Sequence, residues 1–291
     1  MVVFPNCKIN LGLNILDKRE DGFHNLQSVF IPVQLCDALE IIESEKDELF
    51  IYGKKVIGEL EKNSCFKALQ ILRGVRKFSP VHIHLLKNIP MGAGLGGGSS
   101  DGAYTLKLLN EKFNLGFSEN ELAQFAIQIG SDCAFFIYNK PIFIEGRGEK
   151  ISPINFLLKD YEIAIVFPEV HIDTALAFEQ LAKSRSKNNI TTTLFSKTKF
   201  LQSKPEDWKN MLVNDFENVV FPIHSVIEKW KRYFYEQGAV FSLMSGSGSC
   251  IYALFKKSDI LDKLKAGILR NNKIFIKELR FEDERNINID V

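Results

Sequence analysis

PMGAGLGGGSSDG, from Pro90 to Gly102, places six glycines within thirteen residues. Upstream, PVHIHLLKNI (Pro80 to Ile89) alternates polar and apolar residues as a strand does. Downstream, DGAYTLKLLNEKFN (Asp101 to Asn114) carries the apolar spacing of a helix. The glycines therefore open a helix. A helix N-terminus offers unpaired N–H groups and the positive end of the macrodipole, and glycine lets the preceding backbone take positive φ and approach an anion with no Cβ in the way. Ser99 and Ser100 add hydroxyls, and the segment reads as a phosphate cradle formed by Pro90, Gly92, Gly94, Leu95, Gly96, Gly97, Gly98, Ser99 and Ser100. A flexible linker would not be flanked directly by strand and helix, and a plain turn needs only one or two glycines.

The loop differs from the better-known phosphate loops. The P-loop requires Lys-Ser/Thr after its glycines, whereas Ser99 and Ser100 follow Gly98 and the next lysine is Lys107. Gly92, Gly94 and Gly97 can be forced onto a Rossmann pattern, but two helical stretches follow where that fold requires a parallel strand. A protein-kinase loop would sit in a hairpin, and no HRD or DFG follows.

The spelling of this loop resembles the nucleotide loop of the GHMP kinases, the family of galactokinase, homoserine kinase and mevalonate kinase. Three further segments carry the resemblance. Pro5-Asn6-Cys7-Lys8-Ile9-Asn10-Leu11-Gly12-Leu13, followed by Arg19 and Asp21-Gly22-Phe23-His24, is similar to the N-terminal motif of one branch of the family. GSDCAFFIYNKPIFIEGRGEKI (Gly130 to Ile151) and FSLMSGSGSCIYALF (Phe241 to Phe255) are similar to its two later motifs. These four segments reach from Pro5 to Phe255 in the family's order. The resemblance implies an α+β, two-domain GHMP kinase fold, with residues 1–155 and 156–291 as the domains and the active-site cleft between them.

The branch implies ATP-dependent phosphorylation of the 2-hydroxyl of 4-diphosphocytidyl-2-C-methyl-D-erythritol, a cytidine diphosphate alcohol, in the non-mevalonate route to isoprenoid precursors. Such chemistry requires the hydroxyl in line with the γ-phosphate, an acceptor for its proton, and positive charge at the transferring group. By resemblance, Asp132 is the catalytic carboxylate and Lys8 its partner. An ammonium near a carboxylate favours its charged form and can also bond the attacking oxygen. Read alone, Asp132 suits a helix cap and Lys8 a strand lysine. The implied cofactors are ATP and Mg2+, with Ser100 as the hydroxyl for the metal and Ser99 turned to a phosphate or to its own loop. Asp101 is left structural, as an acid favoured in a first helical turn.

A cytidine substrate calls for a flat apolar clamp with polar groups at the base edge. The resemblance places Asn10, Phe23, His24, Thr174 and Phe178 at the substrate, and Gly246, Ser247 and Gly248 near its phosphates. Phe23 stands where the branch has Tyr, which keeps the ring and loses the hydroxyl. Among 24 phenylalanines most must simply pack, and Phe178 alone would be read as core. Two rival readings are a GHMP kinase for a smaller alcohol, such as mevalonate or homoserine, and a non-catalytic nucleotide-binding protein on the same fold. The first would not need the aromatic clamp, and the second would not need both Lys8 and Asp132.

Other features are read as structural. His82 and His84 share one face of a strand, with no further ligand at metal spacing. Cys7, Cys36, Cys65, Cys133 and Cys250 are scattered and odd in number, as free thiols in a reducing compartment are. Asn189-Ile190-Thr191 spells a glycosylation acceptor with no export signal before it, within a Lys/Ser/Asn/Thr-rich stretch from Lys183 to Lys199 that reads as a mobile surface excursion. Hydrophobic content of 45%, charged content of 25% and a net charge of +1 are those of an ordinary globular protein without the basic excess of a nucleic-acid surface. No apolar run approaches the roughly twenty residues that span a bilayer. The expected setting is cytoplasmic, with small-molecule partners, no nucleic acid, no membrane, and a homodimer allowed.

Overall fold

The computed structural model describes residues 1–22, 24–53, 60–188, 195–257 and 274–278. Three four-stranded sheets organise it. The first runs β1 (Val2–Val3), β4 (Ala38–Glu43), β6 (Val81–Lys87) and β5 (Glu48–Gly53), with β5 and β6 parallel. Along β6 the period-two pattern sends Val81, Ile83 and Leu85 inward, where they are buried, and His82, His84 and Leu86 outward. Helices α1 (Ser64–Val75), α2 (Gly97–Lys112), α3 (Glu119–Ile129) and α4 (Cys133–Tyr138) share its core. Helix α3 begins at a capping box in which Ser118 and Glu121 satisfy each other's backbone N–H groups.

In the second sheet, β2 (Asn6–Lys18) and β3 (His24–Cys36) form a long antiparallel hairpin, extended by β7 (Ile142–Gly146) and β8 (Lys150–Pro153). The third sheet orders β10 (Phe241–Met244), β11 (Ile251–Lys256), β9 (Tyr161–Val166) and β12 (Ile274–Glu278), all antiparallel. One apolar cluster joins the second and third sheets: Ile9, Leu11, Val29 and Ile31 pack with Ile163, Leu243, Tyr252 and Trp208. Each such side chain, fully buried, contributes roughly 1.5–3 kcal/mol, so the joint between the two halves is a true core. Among the described residues no helix is long and apolar enough to cross a membrane.

The apolar pattern from Leu26 to Glu43 predicts a single strand, but it is broken at Asp37, whose buried carboxylate turns away to accept the backbone N–H groups of Asn88 and Ile89 at 2.5 and 2.8 Å. Helix α4 is not foreshadowed, because CAFFIY is apolar all round and has no period to read. The stretch read as a mobile excursion is partly helical: α5 (Thr174–Asn188) runs into it and α6 (Lys197–Gln202) leaves it. Phe195 and Phe200 there are buried against Trp208 and Phe143. The apolar spacing from Phe221 to Gln237 predicts one helix; the helix there, α8 (Ser225–Glu236), starts only after Pro222, which cannot donate to a helical ladder, and a separate short helix, α7 (Glu217–Val220), precedes it. Asn189-Ile190-Thr191 and Phe23 lie outside the described residues.

Candidate active site

Between β6 and α2 the chain turns through Gly92, Gly94 and Gly96, at φ of 63°, 76° and 71°. Gly96 is the left-handed N-cap of α2 and accepts the Ser100 N–H at 2.9 Å. The preceding N–H groups of the first turn therefore stay open to an anion. A Cβ on Gly94 would sit 1.9 Å from the carbonyl oxygen of Ser245, so glycine is what allows the loop to touch the Gly246–Gly248 loop of the C-terminal half. The two loops are joined by Ser245 Oγ donating to Gly94 O at 2.9 Å and by Cys250 N–H donating to Ala93 O at 3.2 Å. They line a cavity of about 710 Å³ together with Asn63, Ser64, Lys87, His171, Asp173 and Thr174. Thr174 Oγ1 lies 2.8 Å from Ser247 Oγ across that cavity. Thr174 thus lines this cavity together with Ser247 and Gly248.

The two loop serines separate. Ser99 lines the cavity, and its hydroxyl acts to lower the pKa of the nearby Cys133 thiol. Ser100 is fully buried, and its hydroxyl has no hydrogen-bond partner among the described residues. Burying a polar group unsatisfied costs about 1–3 kcal/mol, so this oxygen fits a metal or ligand atom.

Lys8 runs beneath the loop from β2. Its backbone N–H donates to Leu95 O at 2.9 Å, and its Cγ lies 3.2 Å from where a Cβ on Gly96 would be. The Lys8 ammonium donates to Asn10 Oδ1 at 2.6 Å, lies 3.4 Å from Asp132 Oδ2, and sits 4.4 Å from the centre of the Phe30 ring. The Lys8 side chain is 4% exposed and that of Asp132 36%, so the carboxylate is the open end of the pair. Asp132 stands at the N-cap of α4, yet its side chain makes no capping bond. The helix-cap explanation for this residue therefore falls. Asn10 is held by Ser28, to whose Oγ it donates at 3.1 Å, and by Tyr252, whose hydroxyl donates to its carbonyl at 2.7 Å. Ser245 Oγ approaches Asn10 Oδ1 at 3.4 Å, so the C-terminal loop reaches the Lys8 network directly.

His24, at the start of β3, and Phe178, on α5, stack with centroids 5.0 Å apart and planes at 18°. A flat base between them would need about 7 Å, two van der Waals contacts, so the rings cover each other. Phe216 packs edge-on against Phe178 at 4.8 Å. A second cavity, of about 160 Å³, opens beside the pair, lined also by Lys18, Leu181 and Arg185. Burial lowers the His24 pKa, and the charges of Lys18 and Arg185 lower it further.

Sequence reasoning missed a buried triad under the phosphate loop. The Lys87 ammonium, 3% exposed, bonds Asp37 Oδ2 and, at 2.6 Å, Asp101 Oδ2. Burial works to lower the Lys87 pKa, but the two carboxylates outweigh it and hold it above its ordinary value. Burial pushes the Asp101 carboxyl up to about 8, against the pull of Lys87. The triad ties together the β3–β4 junction, the end of β6 and the second turn of α2, where Asp101 stands past the first turn expected for it. An outward strand pattern that ends with an inward lysine was its one legible trace. Asn63 and His171 at the cavity were also missed; Asn63 caps α1, its side chain accepting the Cys65 N–H, a signal visible in sequence.

The remaining candidates have ordinary partners. His82 Nε2 lies 3.1 Å from Glu48, and His84 Nδ1 lies 3.0 Å from the Tyr52 hydroxyl while its ring stacks on Phe50. All five cysteines are free thiols; Cys7, Cys65, Cys133 and Cys250 are buried.

A glycine loop at a helix N-terminus, an ammonium–carboxylate pair beside it, and a second glycine loop from the C-terminal half are the groups that phosphoryl transfer requires. Residues 61–140 match the family model "GHMP kinases N terminal domain" and residues 197–273 match "GHMP kinases C terminal". The chain belongs to the GHMP kinases and is an ATP-dependent kinase, as its four motifs imply. The 4-diphosphocytidyl-2-C-methyl-D-erythritol kinase of Bacteroides fragilis is 44% identical over 268 residues, 91% of this chain and 95% of that protein. That of Bacteroides thetaiotaomicron is 46% identical over 271 residues, 92% of this chain and 96% of that protein. Within the GHMP kinases, then, the chain is a member of the 4-diphosphocytidyl-2-C-methyl-D-erythritol kinase family. A crystal structure of 4-(cytidine 5'-diphospho)-2C-methyl-D-erythritol kinase superposes with a TM-score of 0.81 at 25% identity, covering 95% of this chain and 98% of the other. The mevalonate kinase of Methanococcus jannaschii shares the fold, with a TM-score of 0.71 at 16% identity over 96% of this chain and 98% of the other.

Proposed function

We propose that the chain transfers the γ-phosphoryl group of ATP to the 2-hydroxyl of 4-diphosphocytidyl-2-C-methyl-D-erythritol, giving the 2-phosphate for isoprenoid precursor synthesis. The observation that carries the catalytic assignment is the Lys8–Asp132 approach of 3.4 Å beside the phosphate loop. Asp132 Oδ2 accepts the hydroxyl proton as that oxygen attacks the γ-phosphorus and ADP departs. Lys8, aimed by Asn10 Oδ1, presents positive charge where negative charge develops on the transferring oxygens. The open N–H groups from Gly97 to Ser99, together with the backbone of Gly92, Gly94, Leu95 and Gly96 after Pro90, hold the triphosphate. Gly246, Ser247 and Gly248 close over it, with Thr174 bonded to Ser247.

Magnesium would supply positive charge that offsets the charge of the phosphates. The buried, unpartnered Ser100 hydroxyl is the group in this chain that fits it. The cytosine takes the face of Phe178 that His24 covers, so His24 swings aside to the base edge. The domain boundary falls near residue 155, after β8. The use of ATP and the five free thiols suit a cytoplasmic setting.

The test is product formation by purified protein with ATP and magnesium, offered the cytidyl alcohol, mevalonate or homoserine, and repeated with Asp132→Asn. Phosphorylation of the cytidyl compound alone, with kcat falling about 100-fold or more in the variant, is expected. Turnover of mevalonate or homoserine in its place would replace the substrate assignment, and full activity in Asp132→Asn would remove the base.

A further inference from the structure

Arg185 sits on α5, seven residues after Phe178 and so on the same helical face, and both line the 160 Å³ cavity with His24. Its guanidinium donates to two fixed acceptors, one from each Nη. One Nη donates to the carbonyl of Ile15 at 2.6 Å, and the other donates to Asp215 Oδ2 at 2.6 Å. Asp215 Oδ2 also accepts the Ile15 N–H at 2.7 Å, and Asp215 N–H donates to Leu13 O at 3.0 Å. Three elements meet in this knot: the end of β2, the turn before α7, and the helix that carries Phe178. From Ile15 the chain has only a short way to run before it turns back into His24, where β3 begins.

We propose that Arg185, through Asp215, is the positioning residue of the cytidyl subsite, fixing α5, and with it Phe178, against the end of β2 that leads into His24. The inference rests on the substrate reading above. A surface ion pair would contribute little, but this one is mostly buried, with side chains 19% and 8% exposed, and it joins charge to a planar fork. Because both ends of the fork are occupied, Arg185 acts by placing its neighbours and leaves substrate phosphate to other groups. Its charge has a second consequence. His24 faces Lys18 and Asp17 from β2 and Arg185 from α5; burial and the two cations together favour neutral imidazole, with Asp17 opposing. Neutral imidazole has one donor and one acceptor, which suits a cytosine edge that carries an amino donor beside ring acceptors.

The experiment is calorimetric titration of the full-length protein, its Arg185→Met and its Arg185→Lys variants with CDP and, separately, with a non-hydrolysable ATP analogue, between pH 5.5 and 8. In Arg185→Met, CDP affinity is expected to fall about tenfold or more, with affinity for the ATP analogue unchanged within about twofold. The pH at which CDP binding is lost on acidification should move upward, because a cation facing His24 has gone. Arg185→Lys keeps that charge, so its acid limb should stay at the wild-type pH while affinity still falls, since an ammonium cannot span both acceptors. This variant also supplies the answer should Arg185→Met fail to fold. Equal weakening toward both ligands, or unchanged CDP affinity in either variant, would overturn the positioning role alone. A wild-type protein that binds no CDP would overturn the substrate reading, and this inference with it.

Discussion

Replacing Gly94 with alanine tests whether contact between the two glycine loops sets both stability and chemistry. At φ of 76° an alanine carries left-handed strain of roughly 1–2 kcal/mol. Its Cβ would also stand 1.9 Å from the Ser245 carbonyl oxygen and 3.3 Å from that of Gly248, both backbone atoms. The loops must part by more than an ångström, which breaks the Ser245 Oγ–Gly94 O and Cys250 N–Ala93 O bonds, each contributing about 1 kcal/mol. The combined loss is about 3–4 kcal/mol, a large share of a typical 5–15 kcal/mol stability. On a chain of this size it lowers the melting temperature by roughly 5–15 °C. Ser245 also touches Asn10, the acceptor that aims Lys8, so kcat/KM should fall about 100-fold from misplacement alone. Gly98→Ala is the control. That residue lies within α2, and its Cβ would meet nothing closer than Ser64 Oγ at 3.9 Å. It should be stability-neutral or slightly stabilising. Calorimetric melting with steady-state kinetics reads the variants, and a Gly94→Ala protein as stable as Gly98→Ala and as active as the unsubstituted protein would refute the reasoning.

Asp101→Asn should flatten the alkaline side of the stability profile. The Asp101 carboxyl rises from an ordinary value of 3.8 to about 8 on folding, so between those values the folded chain holds a proton that the unfolded chain has lost, and stability falls as pH climbs. Urea unfolding from pH 5 to 9 measures this, and an unchanged slope in the variant would refute it. The Cys133 thiol, pushed up to about 12 by burial, should resist alkylation despite its place beside Asp132. At pH 8 only about one thiol in ten thousand is ionised at such a value, so half-buried Cys36 should react with iodoacetamide well before it. Rapid labelling of Cys133 in native protein would show that the thiol is activated.

The chain's local order held most of the phosphate site. Positive-φ glycines ahead of an apolar helical repeat specify a strand–loop–helix cradle wherever they occur, because the constraint acts over a few bonds. The four motifs in sequence likewise fixed the family. Local pattern failed where residues far apart decide the outcome. Nothing near Asp37 in the sequence says that it will break a strand to join Lys87 and Asp101, a bond that spans 50 residues of chain. CAFFIY could not be read as helix, since burial on all sides erases the period.

What the sequence determined by itself, then, was the loop, the family and the reaction class, through short-range backbone geometry and motif order. Tertiary structure alone decided the partners: Lys8 against Asp132, Ser245 against both Gly94 and Asn10, Thr174 with the phosphate cavity, and Arg185 with Asp215 and Ile15. The physical reason is that the N- and C-terminal halves share one core, in which strands more than 100 residues apart in sequence, such as β2 and β10, are packed together. Side chains with no sequence relation are thereby brought to bonding distance, where charge and hydrogen-bond geometry select among them.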